Sequence, residues 1–201
     1  MSNSKQYEIL KKEIGFDGFF KLERYRLRHT LFAGGWTTPM TRELFERGHA
    51  AAILPYDPIE DAVVLVEQFR VGAMAHPSGP WLTEIVAGMI GEGETPEDVV
   101  RREALEEAGC RIGRVEFICD CYVSPGGTSE MVSVFCGEVD STGLDGQHHG
   151  LAHEHEDIRV HVVSADEAIR RLHANELHSA SPILTLQWLE RERARLRREG
   201  A

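Results

Sequence analysis

Apolar residues recur along the chain in short runs of the length and spacing typical of β-strands, with turn-forming residues between them. The predicted strands cover residues 19–29, 41–47, 50–54, 62–69, 81–87, 115–123, 131–139 and 158–163. Before residue 19 the chain is polar and mixed in charge. The first two strands could form a hairpin-like N-terminal element, which buries little alone. We expect it to pack on the main domain or on a second subunit.

Three helices are indicated by their end signals. Thr95 suits the N-cap of the first and Pro96 its first turn, and Gly109 supplies a left-handed stop. Residues 164–167 resemble a capping box that opens a second helix, and Ser-Pro at 181–182 opens the third. Mixed strands with helices on either side predict an α+β fold, an α/β/α sandwich.

The first helix has a packing face and an acidic face. At about 100° per residue, Glu103, Glu106 and Glu107 lie within roughly 100° of one another. Carboxylates at these spacings repel each other, and a divalent cation such as Mg²⁺ or Mn²⁺ would offset the repulsion. The alternative is a solvated acidic helix face.

Composition restricts the possible partners. The chain has 201 residues, 42% of them hydrophobic, which is enough for one domain with a real core. A formal net charge of -11 makes a nucleic-acid duplex an unsuitable partner, whereas a small anion is possible where metal ions and arginines neutralise it. Four cysteines without C-x-x-C spacing predict reduced thiols. With no signal peptide and no apolar run near 18 residues, we expect a cytoplasmic protein without membrane partners.

A polar loop at residues 141–157 holds several histidines and acids. If the loop is extended, Glu154 and Glu156 point to the same side, one near a water and the other near a metal ion. An exposed acidic hairpin tip is the alternative. Its four histidines suggest a zinc or nickel site, but solvated side chains explain them better because the acidic residues already offer oxygen ligands.

Other candidate residues each have an ordinary alternative. Arg42, Arg47 and Arg70 could hold phosphate oxygens with their guanidinium groups, or could simply add solubility. The glycine-rich segment 124–130 could approach a phosphate or ribose, or could form a plain hairpin turn. The aromatic pair at positions 19 and 20 could stack on a base or lie in the core.

The region from Gly88 to Cys110 resembles the Nudix box, the signature of Nudix hydrolases. It has Gly88, then Glu94 after five residues, and Arg102 to Gly109 as Arg-Glu-Ala-Leu-Glu-Glu-Ala-Gly. The last position, where the family usually has a bulky aliphatic residue, is Cys110, a departure that concerns packing rather than chemistry. The resemblance implies a Nudix fold, with a mixed sheet between helices.

Outside the box the chain resembles the ADP-ribose pyrophosphatases of that family, at segments 45–51, 124–130 and 156–163. The resemblance implies that Glu154 is the catalytic base and that Arg70 binds the diphosphate beside Met89. It implies that metal ions are held by Ala87 (through its carbonyl), Glu103, Glu107 and Glu156. The implied substrate contacts are Phe19, Phe20, Arg42, Glu43, Arg47, Ser124, Pro125, Gly126 and Glu130. Supporting roles fall to the box residues Gly88, Glu94, Arg102 and Glu106.

The resemblance therefore predicts a metal-dependent hydrolase, with Mg²⁺ or Mn²⁺, that cleaves ADP-ribose to AMP and ribose 5-phosphate. The alternatives are a Nudix hydrolase of another nucleotide sugar or a triphosphate, and a non-catalytic ADP-ribose sensor. Residues 1–47 would form an N-terminal β element and residues 48–201 the catalytic domain. Like its relatives, the protein is expected to be a homodimer in which the N-terminal element crosses to the other subunit.

Overall fold

The computed structural model describes residues 5–200. Residues 1–4 of the predicted N-terminal element and residue 201 of the predicted catalytic domain lie outside the described residues. The described chain forms two compact units. Unit 1 comprises residues 5–49 with Tyr122–Met131, and unit 2 comprises Ala50–Cys121 with residues 132–200.

Unit 1 is built on a three-stranded antiparallel sheet in the order β1-β2-β3. Its strands are β1 (Tyr7–Asp17), β2 (Lys21–His29) and β3 (Met40–Glu46). The sequence pattern missed β1 for two reasons. Every residue of β1 is exposed, and register shifts between Ile9 and Lys11 and between Ile14 and Phe16 interrupt the period-2 pattern.

Unit 2 contains a mixed sheet in the order β10-β11-β5-β4-β9-β8, with β6 paired to β5 and β7 paired to β4. Its strands are β4 (Ala50–Asp57), β5 (Ala62–Phe69), β6 (Trp81–Glu84), β7 (Val86–Met89), β8 (Val115–Tyr122), β9 (Met131–Glu138), β10 (His148–His149) and β11 (Ile158–Ser164). Strand β4 runs parallel to β9 and antiparallel to β5 and β7.

The single strand predicted at residues 81–87 is wrong, because the chain changes partner at the buried Ile85. Before it, β6 pairs with β5, so that Glu84 lies opposite Val66. After it, β7 pairs with β4, so that Ala87 lies opposite Ala52. Two short strands therefore replace one longer strand.

Helix α1 (Pro96–Ala108) begins and ends as its sequence signals predict. The Thr95 hydroxyl accepts a hydrogen bond from the Asp98 amide at 3.2 Å, and the Asp98 carboxylate accepts one from the Thr95 amide at 3.1 Å. Gly109 stops the helix in the left-handed region at φ 64°. Helices α2 (Ala165–His173) and α3 (Ala180–Gly200) are also present, and Ser164 caps α2 as predicted.

The sheet of unit 2 has a hydrophobic core on each face. On one face α1 packs Val99, Val100, Ala104 and Ala108 against Ile53, Val64 and Val66. On the other, α2 and α3 pack Ala165, Ala168, Leu186 and Leu189 against Leu54, Val63 and Leu65. The predicted α/β/α sandwich is confirmed. No helix within residues 5–200 is long and apolar enough to span a membrane.

Candidate active site

The acidic face of α1 contains one deeply buried carboxylate. Glu107 is only 2% exposed, and its Oε2 accepts a hydrogen bond from the Ala87 amide at 3.1 Å. Helix α1 thereby contacts β7 at the point where the chain has just left Ile85. The position of Ala87, predicted to offer its carbonyl to a metal ion, is thus fixed beside Glu107.

The carboxyl group of Glu107 has a pKa above its ordinary value. Its pKa is raised to about 8, mainly by burial; the charges of Glu103 and Glu156 act in the same direction, while the Ala87 amide and Arg70 oppose the shift. Burial likewise raises the pKa of Glu103, against the effect of Arg102. The charges of Glu103, Glu156 and Arg70 therefore all act on the Glu107 carboxyl group.

Gly88 explains how Glu103 reaches that region. A Cβ atom built on Gly88 would lie 1.9 Å from Oε1 of Glu103, far inside contact distance. Any side chain here would push the carboxylate away. The glycine that begins the predicted motif is therefore required by the close approach of Glu103 to β7.

Arg102 links the remaining acids of the motif. Its guanidinium donates to Glu103 at 2.8 Å, to Glu106 at 2.9 Å and to Glu94 at 3.0 Å. The contact from Arg102 to Glu106 joins positions i and i+4 of α1. Glu94 in turn accepts a hydrogen bond from the Gly91 amide at 3.0 Å, which fixes the loop before α1.

Arg70 lies at the end of β5 and is held by a residue that the sequence did not suggest. Its Nε donates to Oε2 of Glu84 at 2.6 Å, and the Glu84 side chain is 12% exposed. Only the pairing of β6 with β5 brings these residues together, so no local signal in the sequence could have revealed the contact. Met89, also predicted at this site, is exposed at the end of β7.

The late loop is not extended around Glu154. Ala152–Glu154 form a turn of 3₁₀-helix and His155 is left-handed at φ 58°, so of the two alternatives left open for this loop the extended one does not hold. The Glu154 side chain is 55% exposed and lies 3.6 Å from Nε2 of His153. Glu156 instead accepts a hydrogen bond from the Leu151 amide at 3.2 Å. The turn therefore separates the two glutamates, and the carboxylate whose charge reaches Glu107 is that of Glu156.

The chemistry of this donor set fits a hard divalent cation. Within residues 5–200, no three His, Cys, Asp or Glu side chains converge closely enough to form a metal site by themselves. A backbone carbonyl, such as that of Ala87, is an oxygen donor of the kind that such a cation accepts. Burial is the largest cause of the raised pKa values of Glu103 and Glu107, and a bound cation would favour the charged forms of both carboxylates.

Unit 1 brings together a second group of predicted residues. The rings of Phe19 and Phe20 meet edge to face at a centroid distance of 4.7 Å, and Phe19 is 87% exposed. The Arg47 guanidinium lies 5.2 Å from the Phe20 ring centroid. Its Nε lies 3.4 Å from Oε1 of Glu130 without making a well-aligned hydrogen bond. These four side chains form an aromatic and charged surface suited to a flat polar ring.

The other candidates of unit 1 lie on β3 and on the adjoining turn. Arg42 and Glu43 are exposed, and Glu43 pairs with Arg24 at 3.1 Å. Ser124, Pro125 and Gly126 form a turn in which the Ser124 carbonyl accepts from the amides of residues 127 and 128. The hairpin-turn alternative is thus correct for the backbone. Glu46, which the sequence did not suggest, anchors the turn by accepting from the Ser129 hydroxyl at 2.6 Å.

The fold, the capped helix α1 and its buried Glu107 define a class of protein. The NUDIX domain profile matches residues 46–187, most of the chain, and the chain therefore belongs to the Nudix family. It is 50% identical over 194 residues to the ADP-ribose pyrophosphatase of Escherichia coli (strain K12), covering 96% of this chain and 92% of that protein. The ADP-ribose pyrophosphatase of Haemophilus influenzae is 44% identical over 197 residues, with 96% and 90% covered. The GDP-mannose pyrophosphatase of Cronobacter sakazakii is 32% identical over 189 residues, with 93% and 96% covered.

Proposed function

We propose that the protein hydrolyses the diphosphate bond of ADP-ribose to give AMP and ribose 5-phosphate. The observation that carries this proposal is the buried carboxylate of Glu107, which lies with Glu103 and Glu156 in the electrostatic range of Arg70. Such a site suits a diphosphate accompanied by a divalent cation. The choice of ADP-ribose is supported by the two relatives of that name, which are similar along nearly the whole chain.

Glu103, Glu107, Glu156 and the Ala87 carbonyl would hold Mg²⁺ or Mn²⁺. When bound, these ions would neutralise the diphosphate and lower the pKa of a water molecule. Gly88 leaves room for the Glu103 carboxylate. Arg102 fixes the outer acids, Glu94 and Glu106, so that the inner ones keep their positions.

Arg70 would bind the diphosphate, oriented by Glu84, and Met89 would line the same part of the site. Glu154 would act as the general base that removes the proton of the attacking water. Its exposed 3₁₀ turn leaves it accessible to solvent, and we propose that the turn closes toward the substrate when it binds.

Replacing Glu154 by Gln should then lower kcat by about 100-fold with KM nearly unchanged. An unchanged kcat in that variant would remove Glu154 from this role.

In unit 1, Phe19 and Phe20 would stack near the adenine, and Arg47 and Glu130 would contact the substrate beside them. The remaining proposed contacts are Arg42, Glu43, Ser124, Pro125 and Gly126. We further propose a cytoplasmic homodimer in which residues 1–47 form an element that crosses to the partner, while residues 48–201 carry the catalysis.

GDP-mannose is the alternative substrate that an observation supports, because a relative at 32% identity is named GDP-mannose pyrophosphatase.

The experiment that tests the proposed substrate compares initial rates with ADP-ribose, ADP-glucose, GDP-mannose and a nucleoside triphosphate, each with and without Mg²⁺. We expect the highest kcat/KM with ADP-ribose and equal amounts of AMP and ribose 5-phosphate. A preference for GDP-mannose or triphosphate would keep the family and reject the substrate; tight ADP-ribose binding without product would indicate a sensor.

A further inference from the structure

One buried side chain near the acid cluster has an unused hydrogen-bond donor. Gln68 on β5 is 6% exposed, and its Nε2 has no hydrogen-bond partner within residues 5–200. A buried donor left unpaired costs free energy, and native proteins satisfy nearly all such groups with protein, water or ligand. Gln68 therefore has a donor available for something that is not part of the polypeptide.

The register of β5 places Gln68 on the face of the sheet that α1 covers. Side chains alternate along a strand, so Gln68 shares its face with Val64 and Val66, both packed in the core beneath α1. Arg70 follows two residues later, so the same alternation directs its side chain to this face. The amide thus lies between the hydrophobic core of α1 and the predicted diphosphate-binding arginine.

The neighbouring strand supports the same placement. Glu84 lies opposite Val66, and Leu82 lies opposite Gln68. Glu84 therefore points to the same face as Gln68, diagonally across from it, and its Oε2 accepts a hydrogen bond from Nε of Arg70 at 2.6 Å. Because Glu84 is engaged by Arg70, it leaves the Gln68 amide unpaired.

We propose that Gln68 is a substrate-binding residue whose Nε2 donates a hydrogen bond to a non-bridging oxygen of the substrate diphosphate, beside Arg70. A neutral amide suits this position because it adds a donor without adding a fourth negative charge to Glu103, Glu107 and Glu156. The inference rests on the proposed function in that it takes the ligand to be a nucleoside diphosphate derivative.

The test uses Gln68→Leu, which keeps the size of the side chain and removes the donor, and Gln68→Met, which fills the space more flexibly. Gln187→Leu, at an exposed position of α3, is the matched control for the same substitution. For each protein we would measure kcat and KM for ADP-ribose and GDP-mannose, binding of inorganic pyrophosphate by calorimetry with Mg²⁺, and Tm.

We expect both Gln68 variants to raise KM and to weaken pyrophosphate binding by about tenfold, with kcat within about twofold of wild type. Tm should not fall, because replacing an unpaired buried polar group by an apolar one is neutral or stabilising. Gln187→Leu should match the wild type throughout.

Unchanged KM and pyrophosphate affinity in both Gln68 variants would overturn the inference, as would a lowered Tm without any loss of affinity. Failure of the proposed function gives a different result. In that case the wild type would hydrolyse neither sugar nucleotide, and the effect of Gln68 on pyrophosphate binding would still decide whether it contacts a diphosphate.

Discussion

Replacing Gly88 tests whether kcat depends on the position of the Glu103 carboxylate. Gly88→Ala would place a methyl group where the Glu103 carboxylate now lies, 1.9 Å from its Oε1. We expect kcat to fall by about 100-fold, since a displacement near 1 Å can cost that much. Gly72→Ala is the matched control, because a Cβ there meets nothing within 4 Å. Full activity in Gly88→Ala, with a normal circular dichroism spectrum, would show that Glu103 need not approach β7.

Residues differ in how far the sequence alone could place them. Thr95 and Gly109 were predicted correctly because each acts through neighbours in the chain, where a cap is visible. Gly88 was singled out by the motif, whereas its close approach to Glu103 is seen only in the structure. Glu84 and Gln68 were not predicted, because their roles depend on the pairing of β6 with β5. For Glu154 the sequence left an extended segment and a hairpin tip open, and the chain forms a 3₁₀ turn there.

At the scale of elements, α3 is attached to the rest of unit 2 through Asp61. Its carboxylate accepts from the Tyr56 hydroxyl at 2.7 Å and from Nε of Arg193 at 2.8 Å, and lies 3.2 Å from Nη1 of Arg197. Its backbone carbonyl accepts from the Ala165 amide at 2.8 Å, at the beginning of α2. One residue thus joins β4, α2 and α3.

Asp61→Asn should therefore lower stability in a pH-dependent way. Asn tolerates the left-handed backbone of this position, φ 54°, so the substitution mainly removes charge. The hydrogen bond from Arg193 is the largest cause of the lowered pKa of Asp61. A lowered pKa stabilises the fold above the unfolded value of about 3.9, and the benefit is lost as pH falls through the folded pKa.

We expect Asp61→Asn to reduce the free energy of unfolding at pH 7 by about 2 kcal/mol, between the values for surface and buried pairs. Urea unfolding at pH 7, 5 and 3.5 would measure the difference from wild type, which should shrink only below about pH 4. Asp166→Asn removes an exposed partner of the same Arg193 and should change little. A difference that grows toward low pH would contradict this account.

Elements with strong local patterns were predicted best. Strands β4 and β5 carry buried apolar runs, and α1 carries caps at both ends, so their existence follows from the sequence. Strand β1 has no buried residue and two register shifts, so no periodic signal marks it. The division of residues 81–89 into two strands depends on which neighbour each half meets, and this is decided by the tertiary structure.

At the scale of the whole molecule, the proposed homodimer has a direct test. Strand β1 exposes several large apolar side chains, among them Ile9, Ile14 and Phe16, which is unusual for a surface without a partner. Ile14→Asp should therefore shift the mass measured by light scattering from twice the 22.6 kDa chain mass toward a single chain. Ile59→Asp makes the same change at a 73% exposed isoleucine of unit 2 and should leave the dimer intact. A monomeric wild type, or a dimeric Ile14→Asp, would contradict the proposal.

The central claim is that the buried acid cluster on α1 is a divalent-metal site that drives cleavage of the diphosphate. Its most direct test is AMP release from ADP-ribose as a function of Mg²⁺ or Mn²⁺, for the wild type and Glu107→Gln. Gln can still accept the hydrogen bond from the Ala87 amide, so the variant should fold while losing the charge. The account predicts turnover that requires added metal, disappears with a chelator and falls by about 100-fold or more in the variant. Metal-independent turnover, or a variant as active as the wild type, would contradict it.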